Sequence, residues 1–326
     1  MKALVTGSQG FLGRSAIQAL RGRGHLVRAL DLPRSPGARV ERREGVEEVF
    51  ADLCASADLA AACEGVGAVL HLAAQLQGDE ESLVRTAVDG TSRLIDAMER
   101  AGVPHMILSS SLSVYDWDTS AEVLDEDSPL EPEPEARDGY TAAKLKQEVL
   151  TRERCARSGI SLTVLRPGLL WGRGREYPAT LGQKLGPLHL VFDPARCLPI
   201  VHVDNCADAF SAALDAGRRA EGTYNVIDHP VTAGRFVRDH LHRSGHFGVM
   251  VSAGYLTALR FAGLLFRLTP SSMRPRLPNF LAPPRFAARY RPVKLDGARF
   301  REVLGWSPPF SYEECLDRTY GPFPAR

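Results

Sequence analysis

Short apolar, β-branched runs alternate with longer stretches of helical period through the first half of the chain. The runs are Ala3 to Thr6, Leu26 to Leu30, Val46 to Ala51, Ala68 to Leu72, His105 to Ser109 and Ile160 to Arg166. Short, bounded runs of this kind read as strands, and nearly continuous apolar ones as strands covered on both faces. Between them, Phe11 to Arg23, Ser82 to Ala101 and Tyr140 to Ser158 carry the spacing of helices that bury one face. Strand and helix in alternation predict an α/β fold: a doubly wound parallel sheet covered by helices on both sides. Such a sheet takes ligands at the carboxyl ends of its strands, so the residues just after each strand are where chemistry is expected.

Past Arg166 the alternation loosens. Ile200 to Phe210 reads as a strand running into a helix, Gly222 to Asp228 as another strand, and Val249 to Leu268 as one or two apolar helices. This suggests a main domain over residues 1–170 with returning segments near 198–230, and a smaller, mainly substrate-binding lobe over 171–326.

Composition narrows the function more than the fold. Basic and acidic residues nearly cancel, 40 against 39, so no global field draws the chain to nucleic acid. Six cysteines (Cys54, Cys63, Cys155, Cys197, Cys206, Cys315) lie scattered without a CxxC pair, and the first residues read as a strand rather than a leader. Both features point to a reduced, cytoplasmic protein. The longest apolar stretch, Val249 to Leu268, carries Arg260 and Arg267, and no uncharged run reaches the roughly 18 residues a membrane span needs. Two local charge features remain. Leu124 to Asp138, LDEDSPLEPEPEARD, reads as a solvated acidic loop. From Arg260 to Lys294 there are eight basic residues (Arg260, Arg267, Arg274, Arg276, Arg285, Arg289, Arg291, Lys294) and no acidic one.

The stretch KALVTGSQGFLG sets Gly7, Gly10 and Gly13 directly after the first strand. There Gly7 permits a tight turn, Gly10 lets backbone approach a pyrophosphate, and Gly13 lets the following helix pack closely on the sheet. The helix start then presents its free N–H groups and positive dipole end to the phosphates. Asp31 follows eighteen positions after Gly13, at the end of the second strand. A carboxylate there accepts both ribose hydroxyls of adenosine and repels a 2′-phosphate, which favours NAD; Arg34 pulls the other way.

In this Thr6-Gly7-Ser8-Gln9-Gly10-Phe11-Leu12-Gly13 spacing, and in the motifs after it, the chain resembles the extended branch of the short-chain dehydrogenase/reductase superfamily, the NAD-dependent epimerase/dehydratase family. Ala51-Asp52-Leu53, His71-Leu72-Ala73-Ala74, Ser109 to Tyr115, Tyr140 to Lys144, Arg166 to Gly172, Val201 to Ala209 and Leu304 to Glu314 are similar to that family's motifs and follow in its order. The resemblance implies a Rossmann domain that holds NAD through Gly7, Gln9, Gly10, Phe11, Leu12, Gly13 and Asp31, with Asp52 and Leu53 at the adenine. It adds Leu72, Ala73 and Ala74, the pair Tyr140 and Lys144, and the run Pro167, Gly168, Leu169 and Leu170. It also implies a homodimer paired through the tyrosine-bearing helix and the helix before it.

Tyr140 and Lys144 stand four apart on a predicted helix and share a face. An ammonium beside a phenol favours phenolate and draws its pKa down from about 10. Ser111 occupies the position where the resemblance implies a hydroxyl bonded to the substrate oxygen, although Ser109, Ser110 and Ser113 crowd the same loop and any of them could cap the next turn. Ser111, Tyr140 and Lys144 are thus the expected catalytic set, interconverting a secondary alcohol and a ketone by proton and hydride transfer. Three positions depart from the family pattern: Ala87 stands in place of an asparagine that helps order water or the lysine, Asp116 follows Tyr115, and Ala143 precedes Lys144. No metal is expected: His240, His242 and His246 lack a companion cysteine or carboxylate cluster, and His202 beside Asp204 reads as structural.

For the substrate, the basic tract fits a diphosphate. Its apolar companions, Tyr255 to Leu268, fit a lipid-like small molecule, a peripheral membrane contact, or a helix packed on its own domain. The wording PVKLDGARFREVLGW is closer to 3β-hydroxysteroid dehydrogenase-like members than to sugar epimerases. The expected function is therefore an NAD-dependent oxidoreductase acting on an apolar, sterol- or lipid-like alcohol or ketone. The alternatives are a nucleotide-sugar epimerase that recycles NAD within one turnover, and a non-catalytic dinucleotide-binding sensor. Dehydration is disfavoured, because Leu112 and Ser113 follow Ser111 where dehydratases carry an Asp-Glu dyad.

Overall fold

The computed structural model describes residues 1–33, 43–55, 59–76, 78–177, 181–245, 247–270, 273 and 281–322; Arg34, His246, Arg274 and Arg276 lie outside them. In chain order the first elements are β1 (Lys2–Thr6), α1 (Phe11–Gly22), β2 (Leu26–Asp31), β3 (Val46–Phe50), α2 (Ala60–Cys63), β4 (Ala68–His71), α3 (Glu80–Ala101) and β5 (His105–Ser109). There follow β6 (Val123–Leu124), α4 (Pro134–Arg137), α5 (Gly139–Ser158), β7 (Ser161–Pro167), β8 (Leu169–Trp171), β9 (Gln183–Leu185), β10 (Leu188–Phe192) and β11 (Cys197–Leu198). Next come β12 (Ile200–His202), α6 (Val203–Ala216), β13 (Gly222–Val226), β14 (Val231–Thr232), α7 (Ala233–Ser244), β15 (Val249–Ala253) and α8 (Tyr255–Leu268). The last are α9 (Pro283–Tyr290), β16 (Lys294–Leu295), α10 (Ala298–Leu304) and α11 (Tyr312–Tyr320).

The central sheet runs β13-β7-β5-β4-β1-β2-β3, with every neighbouring pair parallel. Its six strands from the first half are the six apolar runs of the sequence, shifted at their ends by a residue. Strand order reverses between β1 and β4, which opens a crevice beyond their carboxyl ends. On one face α1 and α6 bury Ala16, Ile17, Leu20, Ala209, Phe210 and Ala213 against the sheet. On the other, Leu94, Ile95 and Met98 of α3 close over Leu4, Val69 and Met106, with Cys155 of α5 alongside. A separate core around Trp171, Phe236 and Tyr312 joins β8, α7 and α11. The Leu304 to Glu314 motif braces the first core: Trp306 packs into it and donates to Asp208 at 3.0 Å, and Ser311 and Glu314 form a capping box that starts α11.

Two expectations are overturned. Val249 to Leu268 is not purely helical: Val249–Ala253 is a strand in parallel register with Leu188–Phe192, and only Tyr255–Leu268 is a helix. Its β-branched Val249 and Val251 suit the strand, and the partner that selects it lies sixty residues upstream. The acidic run is not simply solvated either. Glu126 within it is buried and accepts the Asn225 N–H at 2.8 Å, while buried Arg137 donates to the carbonyls of Ser113 and Tyr115 at 2.8 and 2.9 Å. The run is a strap that pins the loop after β5.

Candidate active site

A cleft of about 1040 Å³ lies along the carboxyl ends of the strands, and a chamber of about 270 Å³ adjoins it; Gly7, Ala74, Tyr140 and Lys144 line both. Gly7, Gly10, Phe11, Leu12 and Gly13 line the cleft, together with Leu72, Pro167, Gly168, Leu169 and Leu170. Asp31, Asp52, Leu53 and Ala73 line the chamber. Gln9 lines neither space; its N–H donates to Asp31 at 2.6 Å and holds that carboxylate in place.

The glycine loop is built for close approach. Gly7 has φ +68, and a Cβ there would lie 2.8 Å from the Ala73 backbone. A Cβ on Gly13 would lie 2.2 Å from the Gly7 carbonyl oxygen. No side chain caps the start of α1, and its first turn carries no acidic residue, so its N–H groups face the cleft available to an anion. Asp31 is also fixed by the Leu32 N–H at 2.8 Å. A basic neighbour, Arg43, reaches the Ser8 carbonyl at 3.1 Å, but its charge is matched by Glu48 at 2.7 Å. These features fit a dinucleotide with a free ribose 2′-hydroxyl. Gly13→Ala is expected to weaken NAD binding by roughly 10- to 100-fold through backbone displacement. Gly22→Ala, where a Cβ meets nothing, is expected to leave it unchanged; fluorescence titration of both variants checks the pair.

Tyr140, Lys144 and Ser111 converge on the cleft. Asp138 starts α5 by accepting the Thr141 N–H at 2.7 Å, which fixes the first turn that carries Tyr140. Ser111 accepts the Ser113 N–H at 3.1 Å, capping the 3-10 turn Leu112–Val114, and its hydroxyl lies near enough to the Tyr140 phenol to bear on its pKa. Burial raises the phenol's pKa, with the Ser111 hydroxyl and the Arg175 charge pulling it down and Asp138 pushing it up. This differs from the sequence expectation of a phenol lowered by Lys144. The ammonium is turned instead to the Ser109 carbonyl at 2.8 Å and to Gln147 Oε1 at 3.0 Å, and burial lowers its own pKa to about 8.

Gln147 also answers the Ala87 departure. Its Oε1 accepts from Lys144, and its amide donates to Thr91 Oγ1 at 2.9 Å and contacts His71 Nε2 at 3.2 Å. His71 Nδ1 in turn meets Thr6 Oγ1 at 2.7 Å, and Thr6 Oγ1 accepts the Ala73 N–H at 3.2 Å. Burial and the Lys144 charge hold His71 down to about 3, so it stays neutral through the physiological range. Lys144 is thus ordered by a buried polar chain running from α5 to the glycine loop, and Ala87 lines the chamber.

Of the rest of the cleft, sequence reasoning singled out only Arg285, Arg289 and Arg291, within the basic tract read as fitting a diphosphate. Leu112, Trp117, Tyr177, Ala288 and Val293 supply apolar surface, and Arg137, Arg175, Arg196, Arg285, Arg289 and Arg291 supply charge. Arg175 lies over the Phe11 ring at 5.1 Å, three residues beyond the RPGLLWG motif, a position that gave no residue-type signal of its own. The basic tract divides: Arg285, Arg289 and Arg291 line the cleft, whereas Arg260 and Arg267 are exposed on α8. Among the described residues no three His, Cys, Asp or Glu side chains converge as a metal site. His240 contacts the Tyr320 hydroxyl at 2.6 Å, and His202 caps α6 and packs edge-on against Trp171 at 4.9 Å.

A doubly wound sheet, a glycine-lined helix start at its switch point and a Tyr-x-x-x-Lys helix beside it define an enzyme of the short-chain dehydrogenase/reductase type. The family model for the NAD dependent epimerase/dehydratase family matches residues 3–226. The chain belongs to that family, whose members are NAD-dependent enzymes. It is 29% identical over 333 residues to 2-alkyl-3-oxoalkanoate reductase of Stenotrophomonas maltophilia (strain K279a), with 98% of each chain covered. It is 27% identical over 334 residues to 4-hydroxy-2-methyl-3-oxo-4-farnesyl-3,4-dihydroquinoline-1-oxide ketoreductase of Stigmatella aurantiaca, covering 99% of this chain and 97% of that one. The crystal structure of a short-chain dehydrogenase/reductase superfamily protein from Agrobacterium tumefaciens with bound NAD superimposes with a TM-score of 0.72 at 23% identity, over 97% of this chain and 95% of that one.

Proposed function

We infer that the chain is an NAD-dependent reductase or dehydrogenase interconverting a ketone and a secondary alcohol on an apolar, lipid-like small molecule. The observation that carries this reading is that Ser111 and Tyr140 line one cleft together with Leu112, Trp117, Ala288 and Val293, apolar surface set among arginines. Two similar relatives, a 2-alkyl-3-oxoalkanoate reductase and a farnesyl-dihydroquinoline-oxide ketoreductase, are named for ketones that carry alkyl or farnesyl chains, which supports the same class. Gly7, Gly10, Phe11, Leu12 and Gly13 would hold the pyrophosphate, Asp31 the adenosine ribose, Asp52 and Leu53 the adenine, and Leu72 to Ala74 with Pro167 to Leu170 the nicotinamide half. Bound NAD supplies or accepts the hydride. Tyr140, held protonated by burial, gives its proton to the ketone oxygen in reduction and takes it back in oxidation. Ser111 would orient that oxygen, and Lys144, turned to the Ser109 carbonyl and Gln147, lines the same cleft.

The main domain we assign to residues 1–170 with the returning segments near 198–230, and the substrate lobe to the remainder. No helix among the described residues is long and apolar enough to cross a membrane. We place the chain in the cytoplasm, in keeping with its six free thiols, and expect a homodimer through α3 and α5, where Val149 is left 45% exposed.

The discriminating experiment supplies NAD and a panel of apolar secondary alcohols, together with nucleotide sugars, and follows absorbance of the reduced cofactor. Accumulation with the alcohols supports an oxidoreductase. Conversion of a nucleotide sugar without accumulation would replace this reading with an epimerase. In the same assay Asp31→Ala is expected to relax the preference for NAD over its 2′-phosphorylated form by roughly 10- to 100-fold, since it removes a like-charge repulsion.

A further inference from the structure

The helix α8 has its amphipathicity turned outward. It buries its small residues, Ala258 and Ala262, and exposes its large ones: Leu256 by 62%, Phe261 by 67%, Leu264 by 57% and Leu268 by 73%. A helix facing water normally does the opposite. At 100° per residue these four side chains, with Leu265, span one half of the helix circumference, and exposed Arg260 and Arg267 lie together near one edge of it. The sequence from His240 to Leu295 contains no acidic residue. Contiguous exposed apolar surface of this kind marks an interaction site.

We propose that the α8 face docks the protein on the surface of an anionic lipid bilayer, its apolar side chains entering the headgroup boundary and Arg260 and Arg267 meeting the lipid phosphates. The charge pattern selects this occupant. A symmetric contact with a second copy would set the same arginines and the same acid-free tract against each other, with no carboxylate from that tract to answer them. An anionic bilayer supplies both the apolar phase and the counter-charge.

The position of α8 gives the docking a consequence. Ala258 and Ala262 pack on Phe286 and Tyr290 of α9, and Arg285, Ala288 and Arg289 of the same α9 line the catalytic cleft. A single helix therefore separates the bilayer-facing surface from the wall of the cleft. This makes the docking surface a route for bilayer-dissolved molecules, although the docking itself does not depend on which substrate the cleft turns over.

The full chain is mixed with vesicles of phosphatidylcholine alone, and of phosphatidylcholine with phosphatidylglycerol, and floated on a density gradient. Flotation with the anionic vesicles that weakens at high salt is expected. The double variant Phe261→Gln/Leu264→Gln should lose at least about tenfold in partitioning while NAD binding and thermal unfolding stay as in the wild type, because both side chains lie in water in the free protein. Arg260→Gln/Arg267→Gln should remove the preference for anionic over neutral vesicles. Wild-type protein that stays at the bottom of the gradient with anionic vesicles, or a double variant that floats as well as wild type, overturns the proposal. A wild-type dimer in light scattering that becomes a monomer in Phe261→Gln/Leu264→Gln overturns it equally, since the face would then belong to a second copy.

Discussion

Tyr140→Phe is expected to lower kcat by a factor on the order of 10² to 10⁴ while leaving the fold and NAD affinity in place. The change removes one oxygen atom from a ring that α5 already positions, and the Asp138 cap that fixes the first turn of the helix is untouched. What disappears is the proton donor. Burial keeps the phenol's pKa above its ordinary value, so the side chain enters the reaction fully protonated near neutral pH, the form a ketone oxygen requires. Phenylalanine keeps the ring and its contacts, which predicts a loss concentrated in kcat, with KM moving within about threefold. Ser111→Ala should cost less in kcat, because the hydroxyl orients and polarises rather than transferring the proton itself; it also leaves the Ser113 N–H without its cap. Steady-state kinetics on the alcohol identified by the panel, with NAD binding measured separately, checks the series. Unchanged activity in Tyr140→Phe would sink the assignment of the proton donor and restore the reading of a dinucleotide-binding sensor.

The parts of this protein that were legible in the sequence are those set by local spacing. The six strands of the first half are short apolar runs whose neighbours in the sheet are also apolar runs, so each could be read without knowing its partner. The glycine loop was legible because only a residue without a Cβ fits 2.2 Å from a carbonyl oxygen, and such positions leave a fixed mark in sequence. Tyr140 and Lys144 share a face through helical period alone, but period does not say where a flexible side chain points. The ammonium turns to the Ser109 carbonyl and Gln147, contacts that depend on β5 and α5 meeting in space. The chain through Gln147, His71 and Thr6 spans three separate elements and has no sequence period at all. The same holds for Val249–Ala253, a strand only because Leu188–Phe192 lies beside it, and for the acidic run, whose Glu126 finds a backbone N–H of β13. Charge runs were legible as composition but not as geometry: one basic tract serves a cleft wall and an outer surface at once.

Removing Arg166 is expected to cost about 3–5 kcal/mol of stability. Arg166 and Glu148 are exposed by only 3% and 1%. They are joined at 2.6 and 3.2 Å, and Glu148 also accepts from the Ser110 hydroxyl at 2.5 Å. Arg166 further donates to the Tyr115 hydroxyl at 2.8 Å, and that hydroxyl donates to Asn225 Oδ1 at 2.7 Å. The pair thus ties β7, α5, the serine loop and β13 at one point. Burial pushes the Glu148 carboxyl up, but Arg166 and Ser110 outweigh it and hold the pKa below the usual carboxylate value. In the wild type the pair's contribution is therefore fully present above the unfolded pKa, near 4.5, and is lost as pH falls through the lower folded value. Arg166→Met reverses the sign: a buried carboxylate without this cation is favoured by protonation, so the deficit should be largest at neutral pH and shrink toward pH 5. Urea denaturation of both proteins at the two pH values measures it. Adding Glu148→Leu to Arg166→Met should recover part of the loss, because it removes a buried carboxylate left with only Arg152, at 2.8 Å, as its cation. It should not recover activity, since Ser110, next to Ser111, has lost the carboxylate that held it. Stability that returns while turnover does not would show the pair acting as the anchor of the serine loop. A deficit independent of pH, or a double variant no more stable than Arg166→Met, would show that packing rather than charge carries the effect.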